Sequence, residues 1–352
     1  MSIKLKHYNE LDGIRAIAVI MVMFYHFFKD VTVQNDILSI VQKLSLFGKT
    51  GVSLFFVLSG FLITRILLNT KQDDSYFKSF YIKRVLRIFP LYYFFLLIYY
   101  FVVPLFLHQP IADFSQQVWY WTFMQNFALT FDWNSVGPIH YWSLSVEEHF
   151  YLFWPLVIYY CSVKNIKWAI LFLCVISFFV RFILIENRIE ESLFTFARFD
   201  ELAIGSFLAI LEFEKKLVKE NLKKFVAVFI IFLIPLIYIS LNNGNYSLLE
   251  SCARYLVLAM VYGSFVAISI IIEPKNWIKK TLNNHTLKSI GKVSFGLYVY
   301  HPICFHLIIN ELRITNLTLS FLLSFSLAYI VSILSFNLLE KKFLKLKERF
   351  SY

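Results

Sequence analysis

Apolar runs long enough to cross the hydrocarbon layer of a membrane recur along almost the whole chain. A helix needs about 20 predominantly apolar residues to span about 30 Å of hydrocarbon. Ten runs meet or approach this length, at residues 11–29, 47–68, 86–107, 146–163, 168–185, 194–211, 222–241, 252–272, 290–309 and 316–339. The pattern therefore predicts an all-α integral membrane protein of about ten transmembrane helices, forming a single domain over residues 1–352.

Lysine and arginine are distributed unevenly between the loops on the two predicted sides of the membrane. The loops on one side hold 24 of the 34 basic residues, and the loops on the other side hold five. Because cytoplasmic loops are enriched in Lys and Arg, we expect both termini in the cytoplasm. The first eight residues lead into the first span without a small-residue cleavage site, so we expect that span to be retained.

Composition agrees with a membrane protein and argues against other classes. The chain is 59% hydrophobic, with a mean hydropathy of +0.64, which no soluble domain of this length shows. A net charge of +11 could indicate nucleic-acid binding, but the basic residues form short clusters between apolar runs, without an aromatic platform or a binding motif. The four cysteines lack CxxC spacing, so neither a disulfide framework nor a metal site is predicted.

The first span carries two ionisable side chains, Arg15 near its start and His26 near its end. Eleven residues apart on a helix, they lie about 20° apart around the axis and about 16 Å apart along it. Ionisable groups inside a span are costly and commonly functional. The structural alternatives are an Arg15 that extends to the interface and a His26 that hydrogen-bonds a neighbouring helix.

Polar residues of the next two spans fall on the same predicted cytoplasmic side or at mid-membrane. Arg84 and Arg87 stand one turn apart at the mouth of the third span. Together with Arg15 they suit a polyphosphate, although topological signalling and lipid headgroup contact are alternatives. Ser59 and Gly60 fall mid-membrane, where small residues either let helices pack closely or leave room for a thin, extended ligand.

Acidic residues open the fourth span from the outer side. Ser145 and Glu148 have the spacing of a capping box, which leaves Glu147 without a structural role. Because the first span runs outward, His26 and Glu147 can share a depth. A carboxylate beside an imidazole orients that imidazole as a general base, so the two form a candidate catalytic pair. The alternative for Glu147 is an exposed position at the outer interface.

Two later motifs supply further candidates for substrate binding. Arg198 and Asp200 lie at the outer start of the sixth span, where pairing between the arginine and the neighbouring acids is the simplest interpretation. Tyr298 and His301 lie three residues apart on one face of the ninth span. His301 could line the same cavity as His26, or could donate to a carbonyl left open near Pro302.

These motifs, in this order, resemble those of the membrane acyltransferase-three family, integral-membrane O-acyltransferases that modify extracytoplasmic carbohydrates. The resemblance covers essentially the whole chain and rests on Leu11-Asp12-Gly13-Ile14-Arg15 with His26, Gly51-Val52 through Ser59-Gly60-Phe61, Arg84 with Arg87-Ile88-Phe89-Pro90, Trp142-Ser143-Leu144-Ser145-Val146-Glu147-Glu148, Arg198-Phe199-Asp200, and Tyr298 with His301-Pro302. It implies an acyl-coenzyme A donor that enters from the cytoplasm, with Arg15 near the donor and His26 catalytic. Many bacterial relatives add a C-terminal SGNH-type domain, and we expect a stand-alone form here.

Residues and resemblance together predict an O-acyltransferase. Acyl-coenzyme A, expected to be acetyl-coenzyme A, would bind its phosphates at the three arginines, with its pantetheine arm beside Ser59. His26, oriented by Glu147, would deprotonate a hydroxyl of a carbohydrate or glycoconjugate acceptor arriving from outside. The residues assigned to the acceptor side are Arg198, Asp200, Tyr298 and His301. A covalent acyl-enzyme intermediate on His26 or a serine stays open.

The expected location is the bacterial inner (plasma) membrane, as a multi-pass protein whose other partners are membrane lipids. The competing hypothesis is a proton-coupled sugar or lipid transporter in which His26, Glu147 and Arg15 form a proton relay. Such transporters more often show a two-fold repeat of hydropathy, which this sequence lacks. Release of free thiol from the donor separates the two hypotheses.

Overall fold

The computed structural model of the protein describes residues 6–31, 35–241, 246–347 and 350. Within these ranges the regular structure is helical, and no strand is formed. The all-α prediction is confirmed. Lys4 and Arg349, two of the basic residues counted for the cytoplasmic side, lie outside the described residues, as does part of the predicted loop 242–250.

Seventeen α-helices, numbered in chain order, make up the described ranges. They are α1 (Glu10–Phe28), α2 (Asp36–Phe47), α3 (Gly51–Asn69), α4 (Tyr76–Leu97), α5 (Val103–Leu107), α6 (Phe114–Trp121), α7 (Gln125–Thr130), α8 (Trp142–Tyr160), α9 (Val163–Glu186), α10 (Phe199–Phe213), α11 (Leu222–Leu241), α12 (Leu248–Ile271), α13 (Trp277–Leu282), α14 (His285–Lys292), α15 (Ser294–His306), α16 (Leu317–Ser335) and α17 (Lys341–Lys347). Wider π-helical turns extend α4, α15 and α16.

Seven helical stretches of the described chain are long and apolar enough to cross a membrane. They are Glu10–Phe28, Asp36–Asn69, Tyr76–Leu107, Val163–Glu186, Lys219–Ser240, Leu248–Ile271 and Leu317–Leu346. An eighth is formed by α14 and the extended α15 if this pair, bent by 74°, is one span. Helix α8 is long enough, but its polar first half makes it too weakly hydrophobic, and α10 has only 15 residues, about 22 Å, so neither qualifies by itself. The count of ten spans therefore stays a prediction.

Helix α1 lies at the centre of the bundle and packs against α3, α14 and α15. Its side chains Ile14, Ala16, Ala18 and Val19 have no solvent-accessible surface. Large apolar side chains on α9, α11 and α16 instead face outward, as a lipid-exposed surface requires, and include Phe172, Phe179, Ile231, Ile234 and Leu322. The two candidate residues of the first span therefore sit at the two ends of a central helix.

Close packing of α3 against α10 depends on glycine. A side chain at Gly60 would collide with the backbone carbonyl of Leu202, and one at Gly205 would collide with that of Val57. Small residues allow this approach of two helix backbones in a membrane. Gly60 therefore has the packing role that the sequence left open, while the neighbouring Ser59 faces the cavity described below.

Four arginines inside predicted spans are held by acidic side chains. The pairs are Arg65–Glu212 at 2.6 Å, Arg181–Asp200 at 2.7 Å, Arg198–Glu201 at 2.8 Å and Arg254–Glu191 at 2.5 Å. Buried charges need such partners, because an unpaired one carries a large desolvation cost. Pairing of Arg198 with a neighbouring acid was predicted and is found with Glu201. Asp200 instead pairs with Arg181 of α9.

Candidate active site

A cavity of about 820 Å³ opens among α1, α3, α4, α8 and α15. It is lined by Arg15, Val52, Phe55, Phe56, Ser59, Leu62, Ile63, Arg84, Arg87, Ile88, Ser143, Leu144, Glu147, Tyr151, Ser294, Phe295 and Tyr298. We call it the inner cavity. The four predicted donor-site residues all line it, together with Glu147 and Tyr298. Six of the ten predicted site residues thus meet in one place.

Three arginines make the inner cavity cationic. Arg15 pairs with Asp12 of its own helix at 3.0 Å and keeps 26% of its side-chain surface exposed. The guanidinium of Arg84 lies 5.7 Å from the ring centre of Tyr151, while its Nε atom is buried and has no hydrogen-bond partner in the described part of the chain. Buried donors are normally satisfied. An unpaired one beside two further arginines therefore indicates an anion-binding site.

Glu147 is fixed by α3 and by its own helix. Ser59 Oγ donates a hydrogen bond to Glu147 Oε1 at 2.7 Å, and the Tyr151 hydroxyl lies 2.6 Å from Ser59 Oγ. Because serine has one hydrogen to donate and gives it to the carboxylate, Tyr151 donates to Ser59. The Ser59 hydroxyl is therefore committed to holding Glu147 at the cavity wall.

The predicted contact between Glu147 and His26 is wrong. No carboxylate oxygen of a described residue lies within 4 Å of a His26 ring nitrogen, and the hydrogen-bond partner of His26 Nδ1 is His301 Nε2, at 3.0 Å. The predicted capping box is also absent, because α8 begins at Trp142 and Ser145 Oγ has no hydrogen-bond partner within the described part of the chain. Because α8 starts earlier than predicted, Glu147 lies in its second turn, where it accepts a hydrogen bond from Ser59.

Hydrogen bonds determine which nitrogen of each paired histidine carries the proton. His301 Nδ1 lies 3.0 Å from the Leu297 carbonyl oxygen, which can only accept, so Nδ1 is the protonated nitrogen of neutral His301. His301 Nε2 is then an acceptor, and His26 Nδ1 donates to it. This assignment leaves the lone pair on His26 Nε2. The geometry thus arranges His26 as a base that a second histidine orients.

His140 belongs to the same cluster and was not among the predicted site residues. Its ring centre lies 5.6 Å from that of His301, which in turn lies 4.9 Å from that of His26. The Tyr298 hydroxyl donates to the His140 carbonyl at 2.8 Å and accepts from Ser143, 2.6 Å away. The described residues include no group of His, Cys, Asp and Glu arranged to hold a metal ion.

The sequence held one signal for His140, its position three residues before Ser143 in the motif that opens α8. It precedes the helix, on the 3₁₀ turn Ile139–Tyr141, where no helical period assigns its direction. Its ring lies against the helix that carries His301, with Nε2 3.2 Å from the Val299 carbonyl. The depth of this side chain could therefore be read only from the structure.

Four predicted site residues do not line the inner cavity: His26 and His301 of the histidine cluster, and Arg198 and Asp200. Asp200 is fully buried against Arg181 and lines no described cavity, so its predicted place in a substrate site is not supported. Arg198 pairs with Glu201 and lies 3.9 Å from the ring centre of Tyr255. It lines a second cavity, which is described below.

The sequence of the chain matches the model of an acyltransferase domain over residues 8–337. The chain belongs to this acyltransferase family. The motif-based resemblance is thereby confirmed, and the inner cavity, together with the histidine cluster that adjoins it through Tyr298, is the candidate active site of an acyltransferase domain.

The relatives of the chain described here are all named as O-acetyltransferases. It is 29% identical over 323 residues to a provisionally named O-acetyltransferase of Staphylococcus aureus (strain COL), covering 85% of this chain and 50% of that protein. It is 27% identical over 360 residues to the peptidoglycan O-acetyltransferase OatA of Listeria monocytogenes, covering 95% of this chain and 55% of that protein. It is 28% identical over 316 residues to YrhL of Bacillus subtilis, provisionally named a peptidoglycan O-acetyltransferase, covering 83% of this chain and 47% of that protein.

The chain spans about half the length of these relatives. No solved structure matches it.

Proposed function

We propose that the protein is an integral-membrane O-acyltransferase that moves an acyl group, with acetyl the first candidate, from cytoplasmic acyl-coenzyme A to a hydroxyl of an extracytoplasmic carbohydrate or glycoconjugate. The observation that carries the proposal is the lone pair that His301 leaves on His26 Nε2, at the far end of the helix whose Arg15 lines a cationic cavity. Family membership and the names of the relatives support it.

The donor would bind in the inner cavity. Its phosphates would pair with Arg15, Arg84 and Arg87, and the unpaired Nε of Arg84 offers one donor for a phosphate oxygen. The apolar part of the lining suits a thin pantetheine arm. Glu147, held in place by Ser59, would accept a hydrogen bond from an amide N–H of that arm.

The reaction would proceed by general base catalysis. His26 Nε2 takes the proton of the acceptor hydroxyl while the hydroxyl oxygen attacks the thioester carbonyl carbon. A carbon–oxygen ester bond forms, the carbon–sulfur bond breaks, and the proton passes from the imidazolium to the departing sulfur, which leaves as the thiol of coenzyme A. His301 accepts the hydrogen bond from His26 Nδ1 throughout and so keeps the ring oriented. His301 is a positioning residue in this mechanism.

Acceptor and donor would reach the site from opposite sides of the membrane. The uneven distribution of Lys and Arg supports a cytoplasmic face at Arg84 and Arg87 and an outer face at the loop that precedes α3. In a bacterium, this orientation corresponds to the inner (plasma) membrane, with the acceptor in the cell envelope.

The experiment measures free thiol released from acetyl-coenzyme A by the protein in nanodiscs, with and without candidate sugars. We expect acceptor-stimulated release that falls about 10²- to 10⁴-fold in His26→Ala. His306→Ala is the matched control, because His306 lies on the same side of the bundle, exposed and paired with Glu311. Release that His26→Ala leaves unchanged would remove His26 from the chemistry. Sugar transport without thiol release would favour the transporter instead.

A further inference from the structure

A second cavity, of about 670 Å³, lies at the end of the bundle where α1 finishes and α3, α10 and α12 begin. It is lined by Leu46, Lys49, Thr50, Val52, Ser53, Trp142, Arg198, Leu236, Ile239, Ser240, Tyr246, Arg254, Tyr255 and Leu258. We call it the outer cavity. Under the proposed topology it faces away from the cytoplasm, whereas Arg84 and Arg87 lie near the middle of α4, which starts on the cytoplasmic side.

The lining of the outer cavity holds three cations and no acidic residue. Arg198 and Arg254 are each paired with a glutamate that does not line the cavity. Lys49 makes no ion pair within 4 Å among the residues described, and Arg254 Nε is buried without a hydrogen-bond partner. Glu190 attracts Lys49 at longer range and hydrogen-bonds Ser192. The outer cavity thus presents positive side chains to a ligand, while the glutamates that balance them, Glu190, Glu191 and Glu201, do not line it.

The remaining lining suits a ligand rich in hydroxyl groups. Thr50 and Ser240 donate to backbone carbonyls and Ser53 accepts from Arg198, so these hydroxyls offer a ligand their remaining acceptor capacity. Tyr246 and Tyr255 contribute rings with a polar end. Side chains that combine an apolar body with a polar end bind molecules that alternate apolar and polar surface, as a saccharide does. Cations add pairing with a carboxylate or phosphate on that saccharide.

The outer cavity adjoins the inner cavity. Val52 lines both, and Ser53 and Trp142 of the outer cavity are chain neighbours of Val52 and Ser143, which line the inner cavity. Lys49 also lies within electrostatic range of His26. A ligand in the outer cavity would therefore reach toward the end of the donor path and the histidine cluster.

We infer that the outer cavity is the acceptor site, and that it selects saccharides that carry an anionic group. The inference rests on the proposed function for the acceptor role, whereas the binding of an anionic saccharide can be tested without catalysis. Lys49 is the primary determinant to test, because it lies exposed at the cavity and forms no ion pair with a described residue whose loss would destabilise the fold.

Binding of two matched probes tests the inference. One is a trisaccharide that contains glucuronic acid, and the other is the same trisaccharide with that carboxyl reduced to a hydroxymethyl group. Titration calorimetry uses the protein in phosphatidylcholine nanodiscs without donor. We expect the acidic probe to bind at least about tenfold tighter than the neutral probe, a preference of about 1.4 kcal/mol. Lys49→Gln should reduce this preference to about threefold, and Lys49→Glu should abolish it.

Lys43→Glu is the control, because Lys43 lies exposed on α2 and does not line the outer cavity. Equal binding of the two probes by the wild type would overturn the inference, as would an equal effect of Lys43→Glu. Loss of the preference in phosphatidylglycerol nanodiscs would also overturn it, because the cavity would then hold a lipid headgroup. Charge-selective binding without thiol release on any acceptor would refute the proposed function and leave the anionic saccharide site standing.

Discussion

Arg181 and Arg84 both keep guanidinium nitrogens away from solvent in one helical bundle, yet their surroundings are opposite. Arg181 is fully buried and donates to the Cys252 carbonyl at 2.7 Å, to the Ala197 carbonyl at 2.5 Å and to Asp200 at 2.7 Å. Arg84 instead lies over aromatic rings in the inner cavity, with a buried Nε that has no partner among the described residues.

The difference distinguishes two uses of arginine inside a membrane. A buried donor without a partner costs about 1–3 kcal/mol, more when it is charged. Arg181 avoids that cost through partners on three other segments, so it holds α9, α10 and α12 together. Arg84 leaves the cost uncompensated within the protein, as a group does when its partner is a ligand. Counting arginines within spans therefore overstates the extent of a binding site.

Removing Arg181 should produce the largest effect, and it should be a loss of stability. Arg181→Met leaves the Asp200 carboxylate buried without its counterion, which costs about 3–5 kcal/mol. We expect a large fall in thermal unfolding temperature and in the yield of folded protein. Arg181→Met combined with Asp200→Leu removes both charges and should recover most of that stability. An unchanged unfolding temperature in the single variant would show that Arg181 is not the structural arginine described here.

Variants of His301 test whether a buried side chain with both ring nitrogens hydrogen-bonded also contributes to catalysis by positioning His26. His301→Leu removes the acceptor for His26 Nδ1–H, so kcat should fall about 100-fold while KM for acetyl-coenzyme A stays the same. His301→Gln supplies an amide oxygen as acceptor and should recover part of kcat. If the Leu and Gln variants lose kcat equally, or if both raise KM instead, His301 does not act by positioning His26.

The apolar pattern alone was enough to predict the all-α membrane fold and the helices whose arginines line the inner cavity. Arg15 and His26 fall at opposite ends of one helix because eleven residues at about 100° each return to the same face. Arg84 and Arg87 share a helix face for the same reason. These relations lie within single helices, where sequence spacing is converted directly into distance.

Contacts between helices could not be predicted in this way. The partner of His26 is 275 residues away in the sequence, and Asp200 pairs with Arg181 across a turn, not with the adjacent Arg198. The sequence predicted that α8 starts after Ser145, but it starts at Trp142, about one turn earlier. Glu147 therefore lies one turn further into the helix than predicted, and its neighbour is Ser59 instead of His26. The rotation and depth of one helix against another are set by side-chain packing, which the spacing of residues along the sequence does not determine.

Arg84 should show the opposite behaviour to Arg181, with a smaller effect that appears only when the donor carries phosphates. Arg84→Gln should raise KM for acetyl-coenzyme A about tenfold, about 1.4 kcal/mol, and leave kcat at saturation unchanged. The unfolding temperature should fall little, because the buried Nε of Arg84 has no hydrogen-bond partner among the described residues and the substitution removes only its contacts with the Phe80 and Tyr151 rings. Acetyl-pantetheine, which has the same thioester without phosphates, should show no change in KM.

Lys78→Gln is the control for Arg84→Gln, since Lys78 lies exposed on the same helix and outside the inner cavity. It removes one positive charge near the same membrane face, so any general loss of attraction for an anionic donor would appear in both variants. A specific phosphate contact raises KM in Arg84→Gln alone. If KM rises equally for acetyl-coenzyme A and acetyl-pantetheine, or if the protein unfolds at a lower temperature as Arg181→Met does, then Arg84 is a structural residue and the two arginines are alike.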